Sequence, residues 1–575
     1  MPIDRSQIIG ALEEIATLLE LKGENPFKVR AYQNAARALQ GLAGDFDAMV
    51  ASGKIHEVRG SGEAIAKKIE ELHATGSLSY LTELEASIAP GLREMLRVPG
   101  LGPKRVRQIH AELGITSIGE LEYACREHRL KLLPGFGEKL QASVLKGIED
   151  LKRYKDRHLW VDAQAAAQRV VAFLGGVRGA SLALAAGSLR RRRETVGDID
   201  VLAAVAPKDR ARVAAALTGG RLAVEVIASG DTKVTFRTVE GIHCDVRMVA
   251  RAEHPFALHY FTGSKAHNTA VRARAQKAGL KLNEYGLFRG AQAIPCATEE
   301  ELFAALKLQF IPPELREDMG EIEAAATDTL PALVEQTDLR GVLHVHTTWS
   351  DGAHTLAEMA ETVREMGFEY LGVTDHSQTA AYAGGLTPDR VRQQIKEIRA
   401  AEDRIGVRIL AGIESDILPD GALDYDKKTL DLFDFVIGSI HSKFNMDRGA
   451  MTRRVLTAME DPHLSIVGHL TGRLLLAREP YEIDQEVVLQ AASRFGVAME
   501  LNANPNRLDL DWTVLREAKR LGVLVAINPD AHDAGGISDV YVGVGIARKG
   551  WLEPKDVLNT RGAAGALALL KRKNP

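Results

Sequence analysis

From residue 340 onward, apolar runs end in polar residues at His344, His376, Glu414, His441, His469, Glu500 and Asp530, at intervals of 32, 38, 27, 28, 31 and 30. A recurrence near thirty is the length of one strand plus one helix. A chain that keeps it up predicts a parallel, barrel-like α/β domain of about seven strands. Side chains at the C-terminal ends of such strands meet on one face. Around those ends, "LHVHTTWSDG" supplies His344, His346 and Asp351, "GVTDHS" His376, "AGIESD" Glu414, "GSIHSKF" His441, "IVGHLTG" His469, and "INPDAHD" Asp530 and His532. One transition-metal ion takes about four to six ligands, so this set, with Glu414 as a bridge, predicts two or three ions. Imidazole with carboxylate suits Mn2+ or Zn2+ better than Mg2+ alone. A lone histidine is ordinarily a satisfied core or surface residue, but that reading fails for so many at successive strand ends.

The middle of the chain carries a second concentration of chemistry. "GSLRRRRETVGDID" sets four arginines a few residues ahead of Asp198 and Asp200. Two residues apart on a strand, these carboxylates share one side, and Asp245 in "HCDVRMV" lies on a later alternating run able to pair beside them. Three carboxylates on one sheet face repel unless divalent cations bridge them. Two ions about 3.5–4 Å apart are the usual device for joining a hydroxyl to a nucleoside triphosphate. The Gly-Ser and the arginines would then grip the phosphates. "SLALAAGS", "LAVEVIAS" and "KVTFRTVE" complete a mixed α/β region, and "FIPPELREDMGEIEAAATDTLPALVEQTDL" reads as a connection to the last domain.

Residues 1–150 read as successive amphipathic helices, and a Gly-x-Gly turn opening a helix occurs three times. Gly60 and Gly62, Gly100 and Gly102 with Lys104, and Gly135 and Gly137 have the form of helix-hairpin-helix elements. Their amides would face a DNA backbone whatever its sequence. The overall charge of −4 conceals a division: residues 1–315 hold 44 Lys+Arg against 37 Asp+Glu, the remainder 29 against 40. A basic front half suits a polyanion and an acidic rear half suits cations. Cys125, Cys244 and Cys296 are too scattered for a disulfide framework or a cysteine-rich zinc site. With no long apolar run and no signal-peptide pattern at the start, a reduced, cytoplasmic protein that avoids membranes is expected.

Together, "GSLRRRRETVGDID", "CDVR" and "YFTGSKAHNTAVR" resemble the palm and thumb motifs of X-family DNA polymerases. The last domain resembles the polymerase-and-histidinol-phosphatase (PHP) family, with all nine ligand positions filled. The resemblance implies catalytic, Mg2+- or Mn2+-holding aspartates at Asp198, Asp200 and Asp245. It implies nucleotide contacts at Gly187, Ser188, Arg191, Gly197, Tyr260, Phe261, Gly263, Asn268 and Arg272. It also implies a helical lyase-like domain at 1–90, fingers at 91–150, palm at 151–258, thumb at 259–315, a linker at 316–337 and a distorted seven-stranded PHP barrel at 338–575. The implied protein is a monomer that fills gaps in nicked or gapped duplex DNA from dNTPs. Its barrel would act as a 3′→5′ exonuclease, with AP-endonuclease or 3′-phosphatase activity as variants.

Lys68 and Tyr32 match family members that excise an abasic sugar through a Schiff base, whereas Ala64 and Phe27 depart from that pattern. Rival readings are a phosphatase with a DNA-binding appendage, a nucleotidyltransferase acting on tRNA ends or a small molecule, and a non-catalytic scaffold.

Overall fold

A computed structural model of the chain describes residues 5–40, 46–58, 62–152, 157–220 and 222–571. It divides into two compact units, Met1–Leu151 and Lys152–Pro575. The described part of the first unit is helical. Helices Arg5–Lys22, Pro26–Gln40 and Glu63–Thr75 each turn an apolar stripe inward, burying Ile8, Leu12, Ile15, Leu39 and Ile69 in one core.

Two of the Gly-x-Gly turns share one construction. Gly100 and Gly135 adopt φ of +86° and +83°, open to glycine at no steric cost. The middle residues, Leu101 and Phe136, are buried and anchor the turn. The second glycines, Gly102 and Gly137, lead straight into helices Pro103–Leu113 and Glu138–Lys152. Gly62 leads into Glu63–Thr75 in the same way, and Gly60 lies outside the described residues. No side chain caps the first turn after Gly62 or Gly102, so amide N–H groups there face outward.

The second unit starts with a five-stranded mixed sheet in the order Ala180–Ala185, Asp198–Val205, His243–Val249, Lys233–Thr238, Ala223–Ser229. Its second and third members run parallel and the other pairs antiparallel. Alternation buries Val234, Phe236, Cys244, Val246 and Met248 with residues of helices Trp160–Gly175 and Arg210–Gly219. On the other face, Leu202 packs against Ala257 and Leu258 of helix His254–Thr262.

A further core joins that helix to Lys265–Lys277, Glu299–Ala305 and a small antiparallel sheet formed by Lys281–Asn283, Gly286–Arg289 and Gln292–Ile294. This core continues through Ile322 and Ala325. The first charged residues of the 316–337 segment are paired inside this core. Arg316, fully buried, donates to Glu299 Oε1 at 2.5 Å and to the Ile311 carbonyl at 2.9 Å. His267 donates from Nδ1 to Glu321 Oε1 at 2.7 Å.

Seven parallel strands follow in sequence order: Gly341–Val345, Tyr370–Val373, Arg408–Asp416, Phe435–Ser439, Leu464–Val467, Ala498–Asn502 and Val525–Asn528. A bridge between Val345 and Ala531 brings first and last together, so the barrel nearly closes. Most of these strands are buried at every position, as parallel strands covered on both faces must be. Leu343, Tyr370, Leu410, Phe435, Ile466 and Ala526 form a cluster with Ala566 and Leu570 of the last helix, Ala563–Leu570. Among the described residues, no helix is long and apolar enough to cross a membrane.

Candidate active sites

The sheet register sets Asp200 opposite Asp245 on the neighbouring parallel strand, with Asp198 on the same side of its own strand. The Gly-Ser turn abuts them: Ala186 N–H donates to the Asp200 carbonyl at 2.8 Å. A Cβ on Gly187, at φ +63°, would stand 2.6 Å from Asp200 Oδ2, so this position requires glycine. Burial first, and then the charge of Asp198, push the Asp200 carboxyl up to about 6. Asp245 is held by the adjoining strand, where Thr235 Oγ1 donates to Oδ1 at 2.6 Å and Lys233 Nζ lies 2.6 Å from Oδ2. Three carboxylates in register on one sheet face are the kind of donor that hard divalent cations take. Sequence reasoning did not find Lys233 and Thr235; their signal is the alternation that turns both toward the face of Asp245.

The arginine run is distributed among protein partners. Arg190 donates to Thr262 Oγ1 at 2.7 Å and Glu299 Oε2 at 2.6 Å. Arg191 donates to the Thr262 carbonyl at 2.8 Å and Glu317 Oε1 at 3.1 Å. Arg192 lies 4.1 Å over the Trp160 ring and Arg193 5.8 Å over Trp512. Ser188 and Gly197 are half-buried, on the turn before and the segment leading into the aspartate strand. Tyr260 and Phe261 meet edge to face at 5.1 Å, and Arg247 lies 4.3 Å over Phe261. Asn268 donates to the Tyr260 carbonyl at 2.6 Å, and Arg272 to the Asn268 carbonyl at 3.3 Å. Gly263 is tight, since a Cβ there would sit 2.4 Å from Asn268 Oδ1.

At the barrel's C-terminal end the nine expected ligands converge. His346, Asp351, His376 and His532 form one group, His344, His469 and Asp530 a second, and Glu414 joins His344 with His346 and His376 with His441. Glu414 is the hub: Oε1 lies 3.0 Å from His469 Nε2 and 3.3 Å from both His344 Nε2 and His441 Nε2, and Oε2 lies 2.9 Å from His376 Nδ1. Asp530 Oδ1 stands 3.4 Å from His344 Nε2 and 3.3 Å from His346 Nε2. His344 Nε2, both His346 ring nitrogens, Asp351 Oδ2, His376 Nδ1 and Glu414 Oε2 are buried without a hydrogen bond. Leaving such groups unpaired is costly, and here they face one another across the spacing that cations fill, so the residues fit a multi-metal centre. His344 and Asp530 both hold left-handed backbone, at φ +58° and +52°, a strain that gathers at functional sites.

The electrostatics agree with that fit. Burial alone would lower the histidines, yet Glu500, Asp530 and Glu414 hold His344 well above its ordinary value, and Glu414 and Asp416 lift His441 to about 10. Burial, with repulsion from His532 and His376, drops His346 to about 3. The carboxylates favour the protonated forms of His344, His376 and His441, a positive charge that cations would replace.

Two carboxylates outside the nine do the orienting. His344 donates from Nδ1 to Glu500 Oε2 at 2.6 Å, and His441 from Nδ1 to Asp416 Oδ1 at 2.5 Å. Behind Asp351, buried Asp375 accepts from Thr347 N–H at 2.8 Å and Ser350 N–H at 3.1 Å. Glu500 was legible as a strand-end residue in the thirty-residue rhythm, and Asp416 only as the second acid of "ESD". Partners that fix the tautomer of a ligating histidine are a usual part of such sites.

In the first unit, Lys68 borders an open cleft lined also by Glu63, Ala64, Lys67, Glu71, Ser79, Tyr80 and Glu83. Its Nζ lies 4.8 Å over the Tyr80 ring, which stacks on Tyr32 at 6.3 Å. Phe27 is 76% exposed. Lys104 is also exposed, 3.9 Å from Glu20.

Comparison with known proteins gives the family of the chain. Models of a helix-hairpin-helix domain and a SAM-like helix-hairpin-helix tandem match residues 3–78 and 92–150. The DNA polymerase beta thumb matches 257–317 and the PHP domain 343–504. The DNA polymerase/3′-5′ exonuclease PolX of Bacillus subtilis (strain 168) is 39% identical over 577 residues, covering 99% of this chain and all of that protein. Probable phosphatases of Thermoanaerobacter sp. (strain X514) and Vibrio atlanticus (strain LGP32) are 27% and 28% identical, over 38% and 35% of this chain and 89% and 82% of their own lengths. The chain belongs to the X-family DNA polymerases that carry a C-terminal PHP domain, the family of Bacillus PolX.

Proposed function

We propose that this protein is a template-directed DNA polymerase that fills short gaps during repair, joined to a PHP-domain 3′→5′ exonuclease. The observation that carries the reading is the coexistence in one chain of the Asp198–Asp200–Asp245 set in register and the buried nine-residue ligand cluster. Asp198, Asp200 and Asp245 hold two Mg2+ or Mn2+ ions, and the PHP residues hold two or three Mn2+ or Zn2+ ions. Ions held by these residues would supply neutralisation of phosphate charge and acidification of the attacking oxygen. Ser188, Arg191 and the glycine turn receive the triphosphate of a dNTP. Tyr260, Phe261 and Gly263 line the sugar pocket, Asn268 meets the base, and Arg272 lies near the template.

The work divides along the chain. Residues 1–90 and 91–150 grip the DNA backbone through Gly62, Gly100, Gly102, Lys104, Gly135 and Gly137, with Gly60 as a further contact. Residues 151–258 form the palm, 259–315 the thumb, 316–337 the connection and 338–575 the nuclease. The protein works as a cytoplasmic monomer on nicked or gapped duplex. Lys68 is the candidate Schiff-base lysine. Borohydride should trap a protein–DNA adduct on a 5′-incised abasic substrate that Lys68→Ala removes, and no adduct would reduce Lys68 to a phosphate contact.

The test of the main reading is a gapped, 5′-labelled primer–template with Mg2+ or Mn2+, with and without dNTPs. Asp200→Asn should lower nucleotide addition by about three orders of magnitude or more while leaving primer degradation intact. His344→Ala should do the reverse. If both variants lose both activities, the assignment of two separate sites fails. The phosphatase relatives favour a second reading, in which the barrel removes terminal phosphates. Release of phosphate from a 3′-phosphorylated primer without nucleotide loss would favour it.

A further inference from the structure

We infer that Glu317 and Lys549 set the readiness of Arg191 for nucleotide: Glu317 competes with the incoming triphosphate for the guanidinium, and Lys549, supplied by the PHP domain, weakens that competition. The inference rests on the proposed triphosphate role of Arg191.

The geometry is a buried relay. The Arg191 and Glu317 side chains are only 13% and 12% exposed, with Nε 3.1 Å from Glu317 Oε1. The same carboxylate oxygen takes Lys549 Nζ at 2.6 Å, so one anion is shared by two cations. Lys549 ends helix Val540–Lys549 and is fully buried. Its other contacts are the Arg191 carbonyl at 3.1 Å, the Glu314 carbonyl at 3.2 Å and the Trp512 ring at 4.6 Å. The neighbouring turn is also fitted to this helix, since a Cβ on Gly545 would lie 3.1 Å from Arg192 Cδ. A nuclease-domain helix thus touches the backbone of the residue assigned to phosphate.

A phosphate carries more charge than one carboxylate, and Arg191 can exchange Glu317 for it. The ease of exchange depends on how much of the Glu317 charge Lys549 already satisfies. Removing Lys549 leaves Arg191 as the remaining cation on Glu317 in this relay, and the pair tightens. Removing both side chains' charges together frees Arg191 of its carboxylate and leaves it to the Thr262 carbonyl until an anion arrives.

The experiment is single-nucleotide gap filling with KM and kcat for dNTP resolved, with Mn2+-dependent primer degradation as a control for folding. Lys549→Met should raise the KM for dNTP roughly three- to tenfold with kcat little changed, the effect expected from strengthening one charged hydrogen bond. The double variant Glu317→Gln/Lys549→Met should bring KM back to the wild-type value or below it, and both variants should degrade primer at the wild-type rate. If the KM is the same in wild type, single and double variants, while Arg191→Met raises it, the relay is refuted and the phosphate role of Arg191 stands. If Arg191→Met leaves KM unchanged, the triphosphate assignment itself fails. A parallel rise in KM for both Lys549→Met and the double variant would mean that Lys549 only props up the fold, and would also overturn the inference.

Discussion

Glu500→Gln is the sharpest probe of the nuclease centre, because it leaves all nine proposed ligands in place. The Glu500 carboxylate is fully buried and meets four donors: His344 Nδ1 at 2.6 Å and Asn528 Nδ2 at 2.9 Å on Oε2, His469 N–H at 3.1 Å and Asn502 Nδ2 at 2.9 Å on Oε1. A glutamine amide can accept two of these, and its NH2 then faces the other two, so one pair of donors loses its acceptor whichever way the amide turns. If the nitrogen faces His344, the imidazole loses the partner that fixes its tautomer and aims Nε2 at the cluster. Loss of such an orienting carboxylate costs about 10- to 100-fold in metal affinity, roughly 1.4–2.7 kcal/mol. The assay is primer degradation against Mn2+ concentration without dNTPs, run beside gap filling in Mg2+. Half-saturating Mn2+ should rise by that factor, the rate at saturating Mn2+ should stay within a few-fold of wild type, and gap filling should not change. An unaltered Mn2+ midpoint would refute the orienting role, and joint loss of gap filling would show that the variant had damaged the fold.

Two further outcomes follow from the same geometry. Gly187→Ala combines a left-handed φ with a Cβ 2.6 Å from Asp200 Oδ2. It should cut kcat/KM for gap filling by about tenfold or more while sparing primer degradation; near-normal extension would show that the turn does not shape the polymerase site. For pH, burial would lower His344, His376 and His441, but Glu414 and its neighbouring carboxylates hold all three above 6.5, His441 at about 10. Without metal, groups raised in this way favour the folded state below their ordinary value and lose that contribution as pH rises toward 10. Bound cations displace those protons, so half-saturating Mn2+ should fall steadily from about pH 6 to 9. A midpoint that does not move with pH would mean that the histidines are not the ligands.

Much of the site was legible because its chemistry is tied to backbone period. Asp198 and Asp200 two residues apart, and polar residues every thirty, each follow from a repeat that the sequence displays. The orienting shell was less legible, because the role of Asp416 or Thr235 depends on which strand lies beside which, a matter of topology rather than local pattern. The partners of the arginine run were not legible either. Four adjacent cations suggest one anionic ligand, but their side chains fan out in different directions from a turn, and each finds its own partner in Glu299, Glu317, Trp160 or Trp512.

The contact between polymerase and nuclease was written in the sequence in a form easy to pass over. Helix Val540–Lys549, "VYVGVGIARK", buries Val540, Gly543, Val544, Gly545, Ile546, Ala547 and Lys549, positions that go nearly all the way round. A helix that covers one barrel has an apolar stripe, whereas one apolar on every side must be covered on every side. On one side a Cβ on Gly543 would meet Ala503 and Ile527 of the barrel, and on the other Val542 packs against the core of the aspartate-bearing sheet as well as the barrel's. Its single buried cation, Lys549, then requires an anion across the junction, and Glu317 supplies it at 2.6 Å. Glu194 and Arg473 repeat the arrangement beside it at 2.6 Å, again a carboxylate from the polymerase side and a cation from the barrel. Paired charges buried at a junction fix its register more than they strengthen it. Within the second unit the aspartate-bearing sheet and the barrel are therefore built together, and the turn that carries Ser188 and Arg191 is positioned partly by the nuclease.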